Sequence, residues 1–498
     1  MKKYIPILAL SFLATPVLAQ HSSSDLPEFK LQKETVESHL MYLASDAMEG
    51  RNTASKGGDK AADFIAALFS VYGLSPAPGQ KDYYQQIPFD RIIPPDAASI
   101  ILGGSTYDHG ENMLVMFGGE TEIETEAVFV GHGWVDPETG FDDYSGMDVS
   151  GKVVFMLPGT PESQSPFEMF QHGASKRTIA KERGAVGVVE LFRMNFPWRF
   201  FKNYFDKERL EVGKEDQHGT SEIFYAFVQE GVPNPVKEME NGQSVKISVK
   251  NSGVKSKRVY ASNIVGVLEG SDPQLKEEYV IVSAHYDHVG VGKEGGGAIT
   301  PQDSIFNGAR DNGMGTVALL AAARSLTQEP PKRSVIFLAC TGEEKGMIGS
   351  EYYVQHPLIP LGNTVFNLNN DGGGYNTTEQ FSVIGYTRTT VAAELDEAAD
   401  AFDLTISKDP APEQNLYERS DNVSFAKKGI PAIDFAPGIT TMDEEILKYY
   451  HQVSDNPDTI DYDYFLKFCQ AFSHTARLIA NKKVRPAWTP GDKFERIK

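Results

Sequence analysis

The stretches YVIVSAHYDH at 279–288 and SVIFLACTGEE at 334–344 decide how this 498-residue chain is read. Each begins as an apolar, β-branched run, Tyr279 to Ala284 and Ser334 to Ala339, the mark of a strand buried on both faces, and each breaks off into imidazoles or acids. Between them Gly308-Ala309-Arg310-Asp311-Asn312 opens a segment, Thr316 to Leu326, with helical spacing. Phe366 to Leu368 is another short strand pattern ending in Asn369-Asn370-Asp371, and Thr389 to Phe402 is another helix pattern. Strand, loop and helix alternate, which predicts an α/β fold: a mixed central sheet with helices on both faces. In open sheets of this kind ligands bind beyond the carboxyl ends of the strands. His285, Asp287, Glu343, Glu344 and Asp371 are concentrated there.

Outward from this region the texture changes. Glu34 to Phe69 reads as two helices broken at Gly57-Gly58. From Ala127 to Val249, short β-type runs are divided by Gly and Pro (Ala127–Val130, Lys152–Leu157, Val186–Leu191, Ile223–Val228, Val245–Val249), so a separate β-rich insert is expected over 108–255. The expected division is 1–19 targeting segment, 20–107 helical part of the catalytic domain, 108–255 insert, 256–482 catalytic domain and 483–498 a loose tail. Lys2 and Lys3 before the apolar run Tyr4 to Leu13, with Val17-Leu18-Ala19 after it, have the form of a signal peptide cleaved after Ala19. The run is too short for the ~20 residues of a membrane span, and export to the periplasm or medium is expected.

Hydrophobic residues make up 41% of the chain and charged residues 23%, enough for a sizeable core and against disorder. The net charge of −21 argues against nucleic acid and against anionic membrane surfaces, both of which attract positive fields. Two cysteines, Cys340 and Cys469, exclude a disulfide framework and a thiolate-rich zinc cluster. Gly146 to Lys152 has the spacing of a phosphate-binding loop, but Val153 stands where Ser or Thr is required and a strand follows. Neither Gly-x-Ser-x-Gly nor His-Glu-x-x-His occurs. The aromatic and Met cluster from Phe167 to Phe201 is a candidate substrate wall or a packing surface.

His285, Asp287, His288, Asp311, Glu343, Glu344, Asp371, His451 and Asp455 gather imidazoles and carboxylates at separate strand ends, and two imidazoles with three carboxylates from such a cluster suit zinc. Five ligands exceed one tetrahedral ion and suit two ions, about 3.5–4 Å apart, sharing a carboxylate. His288 is read as structural.

His285 with Asp287, the GARDN segment, the Glu343-Glu344 pair and His451 together resemble the M28 family of co-catalytic zinc aminopeptidases. HLMYLASDAMEGR at 39–51 resembles the family's N-terminal helix, and Arg419-Ser420-Asp421 through Ala432 its late loop and strand. The insert resembles a protease-associated domain through Val130-Gly131-His132-Gly133, Gly151-Lys152-Val153-Val154 and Gly184-Ala185-Val186-Gly187.

The resemblance implies two zinc ions, one on His285 and Asp371 and one on Glu344 and His451, bridged by Asp311. It also implies Glu343 as general base, Asp287 orienting His285, Asp455 doing the same near His451, and peptides with a free N-terminus as substrates. The family often shows Asn-Leu-Asp where this chain has Asn367-Leu368-Asn369, which leaves Asn369 a rival to Asp371. Carboxypeptidase, dipeptidase or glutaminyl cyclase action on the same fold, and a metal-free binding protein, are the alternatives. Oligomeric state is not readable from the sequence.

Overall fold

The computed structural model describes residues 25–162, 166–193, 197–213, 223–229, 236–240 and 243–495. The expected signal segment, Met194 and Phe196, and the side chains of Phe167, Met169 and Phe170 lie outside them. The chain divides into two compact units, one built from the residues before Gln85 together with Asn263–Lys498, the other from Gln85–Ser262.

In the first unit the sheet runs in the order Lys255–Leu268 (through its Ile264–Leu268 end), Ser334–Cys340, Tyr279–His285, Thr364–Asn370, Ala432–Pro437, Gln380–Ile384, Thr405–Ser407. The three central strands, Ser334–Cys340, Tyr279–His285 and Thr364–Asn370, are mutually parallel, as is Ala432–Pro437 beside them. Ile264–Leu268 and Gln380–Ile384 add antiparallel neighbours. The sheet is therefore mixed, as expected. Ser334–Cys340 and Thr364–Asn370 are buried at every position; the first reads as a continuous apolar run, while the second carries Asn367, Asn369 and Asn370. Register places His285 beside Cys340, Ser283 beside Asn369, and Asn369 beside Asp434. The loops leaving these strands consequently open on one edge.

Met314–Gln328 is buried on nearly every face and packs with Tyr462–Asn481, whose cap Asp461 accepts hydrogen bonds from the Asp463 and Tyr464 amides. Lys33–Leu43 and Lys56–Tyr72 complete the helical cover. The expected loose tail is instead packed through Asp492. Trp488 and Phe494 are buried, and Arg388 bonds Asp492 through Nε at 2.7 Å and Nη2 at 2.9 Å. Among the described residues no helix is long and apolar enough to cross a membrane.

The second unit holds an eight-stranded sheet and reaches beyond the expected 108–255, because Ala98–Leu102 pairs with Val245–Asn251. Beside the sheet it contains helices Pro166–Glu182 and Trp198–Phe205. Gly146 to Lys152 leads into strand Val153–Met156, which excludes the helix that a phosphate-binding loop requires.

Candidate metal centre

The parallel strands end beside one another, so the residues after each end converge without long loops. His285 is the last residue of its strand, and Thr316 in the following helix donates to its carbonyl at 2.8 Å. His285 Nδ1 lies 3.1 Å from the backbone carbonyl of Asp287, an acceptor only, so Nδ1 carries the proton and Nε2 is left to face the site. The Asp287 carboxylate is farther, 3.8 Å from Nδ1, and is held by the Thr53 hydroxyl at 2.8 Å and the Glu343 amide at 3.2 Å. Asp287 thus orients His285 through its carbonyl while its side chain braces the Glu343 loop.

His285 Nε2 faces Asp371 Oδ1 at 3.1 Å, Asp311 Oδ1 at 3.6 Å and Glu343 Oε2 at 3.9 Å. His451 Nε2 faces the other oxygen of Asp311, Oδ2, at 3.2 Å, and Glu344 Oε2 at 3.2 Å. The two oxygens of Asp311 therefore point to two different histidines. Two donor groups result, His285–Asp311–Asp371 and His288–Asp311–Glu344–His451, each with its ligand atoms within 4.8 Å of one another. His288, read from sequence as structural, stands in the second group with Nδ1 at 2.8 Å from Glu344 Oε1. Its signal was proximity to His285 alone.

The two candidates for the fourth ligand differ in geometry. Asn369 points into the sheet, accepting from Ser283 Oγ at 2.7 Å and donating to Ser420 Oγ at 2.8 Å and Asp434 Oδ1 at 3.0 Å. Both ends of its amide are engaged, whereas Asp371 faces His285. Asp455 does not brace His451. It accepts from the amides of Arg310 at 2.9 Å and Asp311 at 3.3 Å and from Arg310 Nη1 at 3.2 Å, fixing the bridging segment.

Arg51 is a residue the sequence did not single out. It is 1% exposed, and its guanidinium donates to four carbonyls, those of Tyr286 (2.8 Å), Leu43 (2.8 Å), Asn307 (2.6 Å) and Gly308 (2.8 Å). It ties the His285 loop to the Asp311 loop. Gly308, at φ +56, permits that approach, since a Cβ there would collide with the Asp311 carbonyl and the His288 ring. His451 itself has φ 53, an unfavourable conformation for a non-glycine residue and a mark of functional sites.

The electrostatics follow from crowding. Burial opposes protonation of His285, but Asp371, Glu343 and Asp311 outweigh it and hold its pKa well above the ordinary value. His451, buried against the same penalty, is raised to about 10 by Asp311 and Glu344. Burial pushes Glu343 well up; His285 opposes this, and Asp371 and Glu344 add to it. In Glu344 the burial penalty is overcome by hydrogen bonds from His288 and His451, and its pKa falls well below the usual range. Carboxylates packed this closely around imidazole nitrogens suit two divalent cations, and nitrogen with oxygen donors suits zinc. Cys340 and Cys469 are buried, and both are free.

Residues 263–476 match Peptidase family M28. This domain belongs to peptidase family M28. A stretch of 114 residues is 36% identical to the vacuolar membrane protease of Saccharomyces cerevisiae (strain ATCC 204508 / S288c), covering 23% of this chain and 10% of that one. A stretch of 205 residues is 28% identical to aminopeptidase YwaD of Bacillus subtilis (strain 168), covering 40% of each. The chain thus matches only a minor part of the length of these curated relatives. The fold is similar to that of the aminopeptidase from Aneurinibacillus sp. strain AM-1, with a TM-score of 0.56 at 17% identity over 93% of this chain and 96% of that one. All the proposed ligands of the M28 domain fall inside the matched residues.

Proposed function

We propose that the protein is an exported aminopeptidase that removes N-terminal residues from peptides at a two-zinc centre. The observation that carries this reading is the placement of Asp311, one oxygen toward His285 and the other toward His451. One zinc would be held by His285 and Asp371, the other by Glu344 and His451, with Asp311 shared. Two such ions would polarise a peptide carbonyl and acidify a water.

The protein's own groups do the rest. Glu343, 3.9 Å from His285 and kept at a raised pKa by burial, suits the transfer of a proton from the attacking water to the departing amine. Tyr450, which lines the same cavity, is held in its protonated form by burial and by Asp311 and Glu344, so it offers a hydroxyl donor to charge developing on the carbonyl oxygen. The carboxylates lining the cavity favour a substrate ammonium group. The likeness to the Bacillus aminopeptidase supports the choice of the N-terminal end.

Lys2-Lys3, the apolar run and Ala19 support export, which N-terminal sequencing of the mature protein tests. The glycine-centred motifs at 131–133 and 184–187 support reading the second unit as a protease-associated domain. The activity is tested with free, N-acetylated and C-amidated peptides, with zinc and after chelation. Free and amidated peptides should be cleaved, acetylated ones spared, and chelation should abolish turnover. Cleavage of N-acetylated peptides at the C-terminus would overturn the reading in favour of a carboxypeptidase.

A further inference from the structure

The cavity that contains Asp311, Glu343, Glu344 and Asp371 continues along an aliphatic wall of Ile384, Leu416, Ile439, Met442 and Ile446. One cation, Arg419, lines it as well. Arg419 is exposed, and among the described residues its guanidinium makes no hydrogen bond, ion pair or ring contact. The charged groups around it are already committed: Glu418 pairs with Lys493, and Arg388, near the same turn, pairs with Asp492. Its backbone is fixed, with the amide donating to Leu416 O at 3.0 Å and the adjacent Ser420 Oγ accepting from Asn369 at 2.8 Å. Tyr450 and His451 line the same cavity, which places Arg419 on the wall that leads to the metal end.

A guanidinium without a protein partner, on the wall of a cavity that also holds the acids of the candidate metal centre, is free to take an anion, and its planar fork fits a carboxylate. We propose that Arg419 forms a subsite for a substrate carboxylate, so that the enzyme prefers short peptides with an aliphatic residue at one side of the cleaved bond and a carboxylate just beyond it. This rests on the aminopeptidase reading above. The carboxylate has two possible sources, the C-terminus of a dipeptide or an acidic side chain, and the test separates them.

The test uses the full-length, zinc-loaded protein and two pairs of substrates: Leu-Gly against Leu-Gly-amide, and Leu-Glu-amide against Leu-Gln-amide. A charge-assisted bond at this position should give the carboxylate-bearing member of at least one pair an advantage of roughly tenfold or more in kcat/KM. The first pair reads the C-terminus and the second the side chain. In Arg419→Gln that ratio should fall to near one, whichever way the absolute rates move. Arg419→Lys, which keeps the charge but loses the fork, should give a reduced ratio.

Equal rates within both pairs for the unaltered protein would overturn the proposal, as would an advantage undiminished in both variants. If none of the four peptides is hydrolysed, the aminopeptidase reading fails. The subsite is then judged by calorimetric titration of Leu-Gly and Leu-Gly-amide into the same protein: tighter binding of the free acid, lost in Arg419→Gln, supports it, and equal binding refutes it.

Discussion

Arg51→Met should damage the site without touching a ligand. The substitution keeps most of the side-chain volume and removes four buried hydrogen bonds, to the carbonyls of Leu43, Tyr286, Asn307 and Gly308. At roughly 1 kcal/mol for each buried hydrogen bond lost, the loss is about 4 kcal/mol. That is a large fraction of the ~5–15 kcal/mol by which domains are stable. Burial draws the Arg51 pKa down to about 10, against the pull of Asp455, Asp311, Asp287 and Glu344, so the group stays charged at neutral pH and its bonds are charge-assisted. Because it joins the loop of His285 to that of Asp311, the variant should also bind zinc more weakly. Urea unfolding of wild type and variant, each with and without zinc, reads both effects: the midpoint should drop in the metal-free protein and the stabilisation gained from zinc should shrink. A variant within 1 kcal/mol of wild type, with undiminished zinc stabilisation, would refute the idea that Arg51 positions the site.

Glu343→Gln should cut turnover by roughly 10² to 10⁴ while metal content, read by elemental analysis, stays near wild type; loss of metal instead would make Glu343 a ligand. Asp371→Asn should leave one metal weakly held, whereas Asn369→Ala, which breaks bonds to Ser420 and Asp434, should lower stability and keep both metals; the reverse pattern in metal analysis would move the ligand to Asn369. Acid sensitivity should trace partly to Glu28, which is fully buried and accepts from His474 at 2.8 Å and from Arg477 at 2.8 and 2.9 Å. Burial opposes ionisation there, but those bonds prevail and its pKa falls below the ordinary 4.5. A depressed carboxyl pKa stabilises the fold fully above the unfolded value and loses that contribution as pH drops through the folded one. Glu28→Gln should therefore destabilise at pH 6 and flatten the fall in unfolding midpoint below about pH 4.5; an unchanged acid slope would show that Glu28 contributes none of it.

Where a strand is buried on both faces, its sequence is nearly unambiguous. The expected Tyr279–Ala284 and Ser334–Ala339 differ from the observed Tyr279–His285 and Ser334–Cys340 by one residue each. The candidate site was legible for the same reason, because its residues sit where apolar runs break into acids and imidazoles. What escaped depends on contacts between distant segments. Arg51 is one basic residue in a turn, and nothing local shows that three of its four partners are carbonyls more than 230 residues away. Asp455 follows His451 by four positions, yet the chain turns it onto Arg310. The helix Tyr462–Asn481 is rich in aromatic residues, which weigh toward strand, and its apolar stripe is settled by packing on Met314–Gln328. The tail after Lys482 looked loose because Pro486 and Pro490 interrupt it, while Trp488 and Phe494 anchor it.

The central claim, two metal ions sharing Asp311, is tested most directly by counting zinc bound per chain in the wild-type protein and in Asp311→Asn after dialysis against the same free zinc. The account predicts close to two equivalents in the wild type and loss from both positions in the variant, because each oxygen of Asp311 serves a different histidine-bearing cluster. A single equivalent in the wild type, or two retained without the Asp311 carboxylate, would contradict it.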